Sequence, residues 1–164
     1  MDFGTLAQKH NNDRAQLLEN TPILAIDPGH TTGWAVFVGT DLAASGEAET
    51  SDIAGVQANI TPLFEEFDPQ YIVMEDYRIY RWRAKQHAGS TVPTIQVIGA
   101  IELITYQFHI ANEVVKQPAH VAKQFCTDSK LKEWGFYITG QRHARDAIRH
   151  GCYFILFGKL GATT

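Results

Sequence analysis

ILAIDPGHTTGWAVF, residues 23–37, decides the fold class. The apolar run Ile23–Ile26 ends in Asp27, turns through Pro28-Gly29, and continues past Gly33 into a second apolar run, Trp34–Val38. A run of β-forming residues bounded by Pro and Gly predicts a buried strand, here Ile23–Asp27, entering a tight turn. The second run predicts its antiparallel neighbour. Gly39-Thr40 marks the next turn, and Leu42–Glu49 predicts a third strand that completes a meander.

The period then changes. Ser51-Asp52 supplies a helix cap, and Ile53, Val56, Ile60, Leu63, Phe64 and Phe67 recur at three- and four-residue intervals, predicting one helix over 53–67. Asp68-Pro69 breaks it. Gln70–Glu75 predicts a fourth strand, again ending in an acid, and a helical crossover before it favours parallel pairing with an earlier strand. Residues 76–91 are a long basic and aromatic loop without a period, of a length that is often functional. A helix is expected over Val92–His109, a short strand over Val114–Lys116, helical turns after Pro118 and over Asp128–Trp134, and a last helix over Gln141–Phe157. The expected architecture is a mixed five-stranded α/β sheet, an antiparallel meander plus parallel strands, with helices on both faces.

The 164 residues suit one domain, placed at 21–164. Residues 1–20 are polar and are expected to form a flexible or loosely docked leader. No stretch reaches the roughly 18 apolar residues of a membrane span, and the start has no signal-like apolar segment. Cytoplasmic placement is therefore expected, with Cys126 and Cys152 as reduced thiols that lack zinc spacing. The net charge of −4 hides an asymmetry. Residues 1–77 carry two Lys or Arg against 13 Asp or Glu, and residues 78–164 carry 12 against five. Such a split is compatible with a basic face on an acidic body.

Asp27 and Glu75 both end apolar strands, and His143 and Asp146 lie three apart on the last helix. Carboxylates at strand ends have fixed directions, and helical i and i+3 positions share a face. If the first and fourth strands are neighbours, these four groups surround one gap. Hard oxygen ligands around a gap suit Mg²⁺, and an imidazole suits Mn²⁺ better than Mg²⁺. A pair of such ions about 3.5–4 Å apart hydrolyses phosphodiesters. His143 is a candidate ligand or a candidate proton carrier. His150, on nearly the same helix face, reads as a packed or surface histidine. Arg78, Arg81, Arg83 and Lys85 in the loop, interleaved with Tyr77, Tyr80 and Trp82, are candidate DNA contacts, as are Lys116, Lys123, Arg142, Arg145 and Arg149.

These motifs resemble the RuvC-type Holliday junction resolvases of the ribonuclease H-like superfamily, particularly their compact phage-borne members. AIDPGHTTGWAVF is similar to the family's strand-turn-strand with its leading Asp, YIVMED to the second acid, and RHARDAIRHGCYF to the final helix, where an Asp or His precedes the last Asp by three. TIQVIGAIELI, with Gln96 three residues before Gly99, resembles the family's long helix. KQPAHVAKQF resembles the segment carrying DNA-contacting basic residues. The likeness covers about residues 22–157. It implies a ribonuclease H-like fold, and Asp27, Glu75, His143 and Asp146 as catalytic metal ligands for Mg²⁺ or Mn²⁺, two ions per site. It also implies DNA contacts from Tyr77, Arg78, Tyr80, Arg81, Arg83, Lys85, Gln96, Lys116 and Lys123. The implied assembly is a homodimer, joined through the helix at Val92–His109, that cuts four-way junction DNA symmetrically. Where family members place an aromatic soon after the second acid, this chain has Arg78, flanked by Tyr77 and Tyr80. Two alternatives stay open: a nuclease of the same fold acting on flaps, forks or RNA–DNA hybrids, and a non-catalytic protein that binds branched DNA. A sugar-kinase-like or actin-like ATPase is excluded, because it needs two such domains.

Overall fold

The structure, a computed structural model, describes residues 1–77, 93–108 and 114–160. Five strands form one sheet: β1 (Pro22–Asp27), β2 (Thr31–Val38), β3 (Asp41–Glu49), β4 (Tyr71–Asp76) and β5 (Val115–Pro118), in the order β3-β2-β1-β4-β5. The β3-β2-β1 half is the antiparallel meander, and β1, β4 and β5 run parallel. The expected adjacency of the first and fourth strands therefore holds. The described helices are α1 (Phe3–His10), α2 (Asn12–Leu17), α3 (Ile53–Asn59), α4 (Thr61–Phe67), α5 (Pro93–Gln107), α6 (Ala119–Phe125), α7 (Asp128–Glu133) and α8 (Arg142–Phe157).

Strand alternation sorts the core into two layers. Leu24, Ile26, Val36, Ile72 and Met74 pack against Val56, Ile60, Phe64, Val97 and Ile101 of α3 to α5. Ile23, Ala25, Ala35, Phe37 and Val73 pack on the other face against Leu131, Ala147, Ile148, Cys152 and Phe154. Burying each large member of these layers contributes about 1.5–3 kcal/mol. The parity of β1 and β4 then sends Asp27 and Glu75 to the α8 face.

Two expectations are corrected. Residues 53–67 make two helices, broken at Ile60. Pro62 has no N–H and opens α4, so the first helix cannot run through it. Residues 1–20 are not a loose leader. Asp2 and Asn11 cap α1 and α2 by accepting the Thr5 and Arg14 N–H groups. Phe3, Ala7 and Leu18 enter the α8-side core. Buried Arg14 donates from Nε to the Ile155 carbonyl at 2.6 Å and from its terminal nitrogen to the Phe154 carbonyl at 2.5 Å. Its charge thus meets the negative end of α8, where the Phe154 carbonyl also accepts from the Gly158 N–H at 2.8 Å.

Candidate active site

One row of residues crosses the sheet and faces α8. Gly33 pairs with Glu47 on one side and with Asp27 on the other. Glu75 lies one step beyond the Ile26–Met74 pair and is itself paired with Gln117. The acids therefore stand at the carboxyl ends of the parallel strands, where open α/β sheets bind their ligands.

Helix α8 closes over this row at unusually short range. A β-carbon on Gly33 would fall 1.9 Å from the His143 carbonyl oxygen, and one on Gly151 would fall 2.3 Å from the Phe37 ring. Glycine at both positions lets the helix backbone lie directly on the sheet. The His143 N–H donates to Glu47 Oε1 at 2.8 Å, so a strand carboxylate satisfies an orphan donor of the first turn. His143 Nδ1 then sits 2.9 Å from Asp27 Oδ2.

Asp146 is 4% exposed, one helical turn along from His143. Arg149 binds it from the same helix and reaches Asp128 and the Cys126 carbonyl as well. Lys123, from α6, places Nζ 3.2 Å from Asp146 Oδ2 and 3.3 Å from Glu75 Oε2. His150 Nε2 lies 3.4 Å from the same Glu75 oxygen.

The charges are mutually constrained. Burial pushes the Asp27 carboxyl up to about 6, and the neighbouring charges of Glu75 and Asp146 push the same way against its hydrogen bond to His143. Burial alone would raise Glu75, but the His150 hydrogen bond and the Lys123 charge outweigh it and hold Glu75 below its ordinary value. Burial also works against the Lys123 charge, yet Glu75 and Asp146 keep its pKa above the usual ammonium value.

The four acidic and imidazole groups named from the sequence are thus brought to one place. Among the described residues, no group of three or more His, Cys, Asp and Glu side chains is arranged so as to hold a metal ion as it stands. Lys123 and Arg149 neutralise the acids instead. The donor set nonetheless fits a hard divalent cation. Burial, reinforced by the charges of Glu75 and Asp146, raises the Asp27 carboxyl to about 6, and a cation among the three carboxylates would favour its ionised form.

The candidate DNA contacts divide. Lys123 is inside the acid cluster. Half-buried Tyr77 follows β4 at the same sheet edge. Lys116 is on the opposite face, 2.5 Å from Glu102 of α5. Gln96 is exposed on α5, which packs on that opposite face. Arg142 is exposed at the start of α8, while Arg145 donates to the Ile138 carbonyl at 2.7 Å and lies over Tyr137. Arg78, Tyr80, Arg81, Trp82, Arg83 and Lys85 lie outside the described residues. Sequence reading missed Glu47 and Gln117 altogether and took His150 for a bystander. The shared row of strand positions was the signal for the first two, but it becomes readable only once the register is known.

No protein-family model matches the chain, and no curated protein matches it by sequence. Among solved structures, T. thermophilus RuvC in complex with Holliday junction substrate superposes with a TM-score of 0.63 at 15% identity, over 84% of this chain and 97% of that one. The yeast mitochondrial Holliday junction resolvase Ydc2 aligns at 0.49 and 13% identity, over 93% of this chain and 84% of that one. At such identity the first likeness establishes the fold: the chain has the ribonuclease H-like α/β fold of RuvC.

Proposed function

We propose that this chain is a divalent-metal-dependent DNA endonuclease that resolves four-way junctions by paired, symmetric phosphodiester cuts. The observation that carries the reading is the convergence of Asp27, Glu75, His143 and Asp146 from β1, β4 and α8 onto one sheet edge. The RuvC-like fold supports it, since the RuvC structure was determined with a Holliday junction bound.

In this reading Asp27, Glu75, His143 and Asp146 hold Mg²⁺ or Mn²⁺, two ions per site. When bound, the metal pair supplies an activated water and neutralises the leaving oxygen. Asp27 must give up its carboxyl proton for the site to form. His143 Nδ1 orients that carboxylate, and Lys123 is released from Glu75 and Asp146 toward the DNA backbone. Tyr77 stands at the same edge for base stacking, and the basic residues after it complete the DNA surface.

A homodimer belongs to the proposal. Ile95, Leu103 and Tyr106 are exposed along α5, and a β-carbon on Gly99 would meet nothing within 4 Å among the described residues, so this helix presents an open apolar stripe. Among the described residues no helix is long and apolar enough to cross a membrane. The proposed setting is the cytoplasm, that of a bacterial host if the chain is phage-borne.

The test is cleavage of a labelled four-way junction beside a flap, a fork and an RNA–DNA hybrid. Symmetric cuts on the junction support the proposal, and preferential cutting of another substrate overturns its substrate. The neutralisation of Glu75 and Asp146 by Lys123 and Arg149 favours one second reading, a non-catalytic binder of branched DNA. Tight junction binding without cutting under either metal would select it.

A further inference from the structure

Gln117 and His150 stand behind Glu75, outside the set of side chains assigned to the metal. His150 is fully buried and Gln117 nearly so. His150 Nδ1 is 3.0 Å from Gln117 Oε1, and His150 Nε2 is 3.4 Å from Glu75 Oε2. Gln117 Nε2 is buried and has no hydrogen-bond partner among the described residues.

Counting protons selects one arrangement. A carboxylate only accepts hydrogen bonds, so His150 Nε2 must carry a proton to engage Glu75. If Nδ1 also carries one for Gln117 Oε1, the ring is a buried imidazolium. It would then face a Glu75 oxygen that already has the Lys123 ammonium at 3.3 Å, and both amide protons of Gln117 would stay unsatisfied. A half-turn of the Gln117 amide removes the first difficulty and leaves one amide proton, rather than two, without a partner. Its N–H then donates to a bare Nδ1, and Nε2–H donates to Glu75. The carbonyl oxygen takes the unpartnered position beside the remaining amide proton, and proteins leave a carbonyl under-satisfied more readily than an N–H.

We propose that Gln117 and His150 form a hydrogen-bond relay that positions Glu75. The Gln117 amide fixes His150 as the neutral Nε2–H tautomer, and that proton pins Glu75 Oε2, turning Oε1 toward the metal. The inference rests on reading Glu75 as a metal ligand. Two elements converge to build the relay: Gln117 is the β5 register partner of Glu75, and His150 lies one turn past Asp146 on α8. Lys123 shares the same oxygen, so both contacts of Glu75 among the described residues fall on Oε2. His150 is a positioning residue rather than a catalytic one. Partners of this kind behind a metal ligand typically govern about 10–100-fold in metal affinity.

The first arm of the test is long-range ¹H–¹⁵N NMR on the metal-free protein. The expected result is one protonated and one bare ring nitrogen in His150, with the protonated one coupled to both ring carbons' protons, as Nε2 is. An imidazolium or an Nδ1–H tautomer overturns the relay. The second arm is Mn²⁺ calorimetry on His150→Gln and His150→Phe, with melting curves to confirm folding. The Gln amide can reach Glu75 as a donor, and Phe fills the space without one. His150→Phe should bind Mn²⁺ about 10–100-fold more weakly, with His150→Gln recovering most of the loss. Equal loss in two folded variants overturns the relay. Failure of the metal reading itself would look different: wild type would take up no Mn²⁺, while the tautomer measured in the first arm would be unaffected.

Discussion

Gly33 of β2 and His143 of α8 share a space that admits no side chain. A β-carbon at Gly33 would lie 1.9 Å from the His143 carbonyl oxygen and 2.6 Å from the Ala144 nitrogen. Because Gly33 is also the strand partner of Asp27, this contact sets how far the His143 ring stands from the Asp27 carboxylate. Gly33→Ala must push the first turn of α8 away from the sheet. The expected cost is about 1–3 kcal/mol of stability, as for other overpacked sites. A displacement of this kind should cost about 100-fold in cutting rate. A melting curve and a single-turnover rate check both, and a variant with wild-type rate would contradict the role given to the contact.

Asp27 carries a pH prediction. Its carboxyl titrates near 6 in the fold against 3.8 in the open chain. Between those values the folded, metal-free protein holds the extra proton, so its stability declines as pH rises through that window. Asp27→Asn removes the penalty, which is on the order of 3 kcal/mol at most. The metal-free variant should therefore melt several degrees higher than wild type at pH 7.5, with the gain shrinking toward pH 4. Metal uptake by wild type should weaken below about pH 6, since ligation needs the carboxylate. Melting curves across pH, with and without Mn²⁺, read both effects.

Lys123 is the internal counter-ion of the acids. Lys123→Met leaves Glu75 and Asp146 without the ammonium at 3.3 and 3.2 Å. The metal-free protein should lose about 2 kcal/mol, the scale of a hydrogen bond to a charged group. Mn²⁺ should restore the melting temperature more fully than it raises that of wild type. Equal metal-induced shifts in the two proteins would contradict the counter-ion account.

Arg14 ties residues 1–20 to α8. Arg14→Ala removes the buried guanidinium donor from the Ile155 and Phe154 carbonyls, the latter keeping only the Gly158 N–H. The expected destabilisation is about 3 kcal/mol, with cutting at low temperature close to wild type, because the contact lies at the end of α8 remote from His143. Denaturant unfolding gives the first quantity. A change under 0.5 kcal/mol, roughly the size of an ordinary surface substitution, would mean that the segment is docked without contributing.

The meander, the parallel fourth strand and the convergence of the four metal-ligand candidates were legible in the sequence, because strand-end acids and an i, i+3 helix pair have directions fixed by backbone geometry. Three features were not. Residues 1–20 look polar as a string, yet Phe3, Ala7, Arg14 and Leu18 are spaced so that one side is buried. Ile53–Phe67 keeps one apolar stripe across a break, so the stripe concealed the effect of Pro62. Lys116 and Lys123 look alike in sequence, but strand parity sends Lys116 to the α5 face, while α6 carries Lys123 into the acids. Pairwise charge compensation of this kind depends on register and helix rotation, which composition does not encode.

The most direct test is incubation of an end-labelled four-way junction and its matching linear duplex with Mg²⁺ or Mn²⁺, using wild type and Asp27→Asn at equal junction occupancy. The account predicts paired, symmetric nicks on the junction by wild type and none by Asp27→Asn, although the variant still binds. Cutting by Asp27→Asn at the wild-type rate, or no cutting by wild type with either metal, would contradict it.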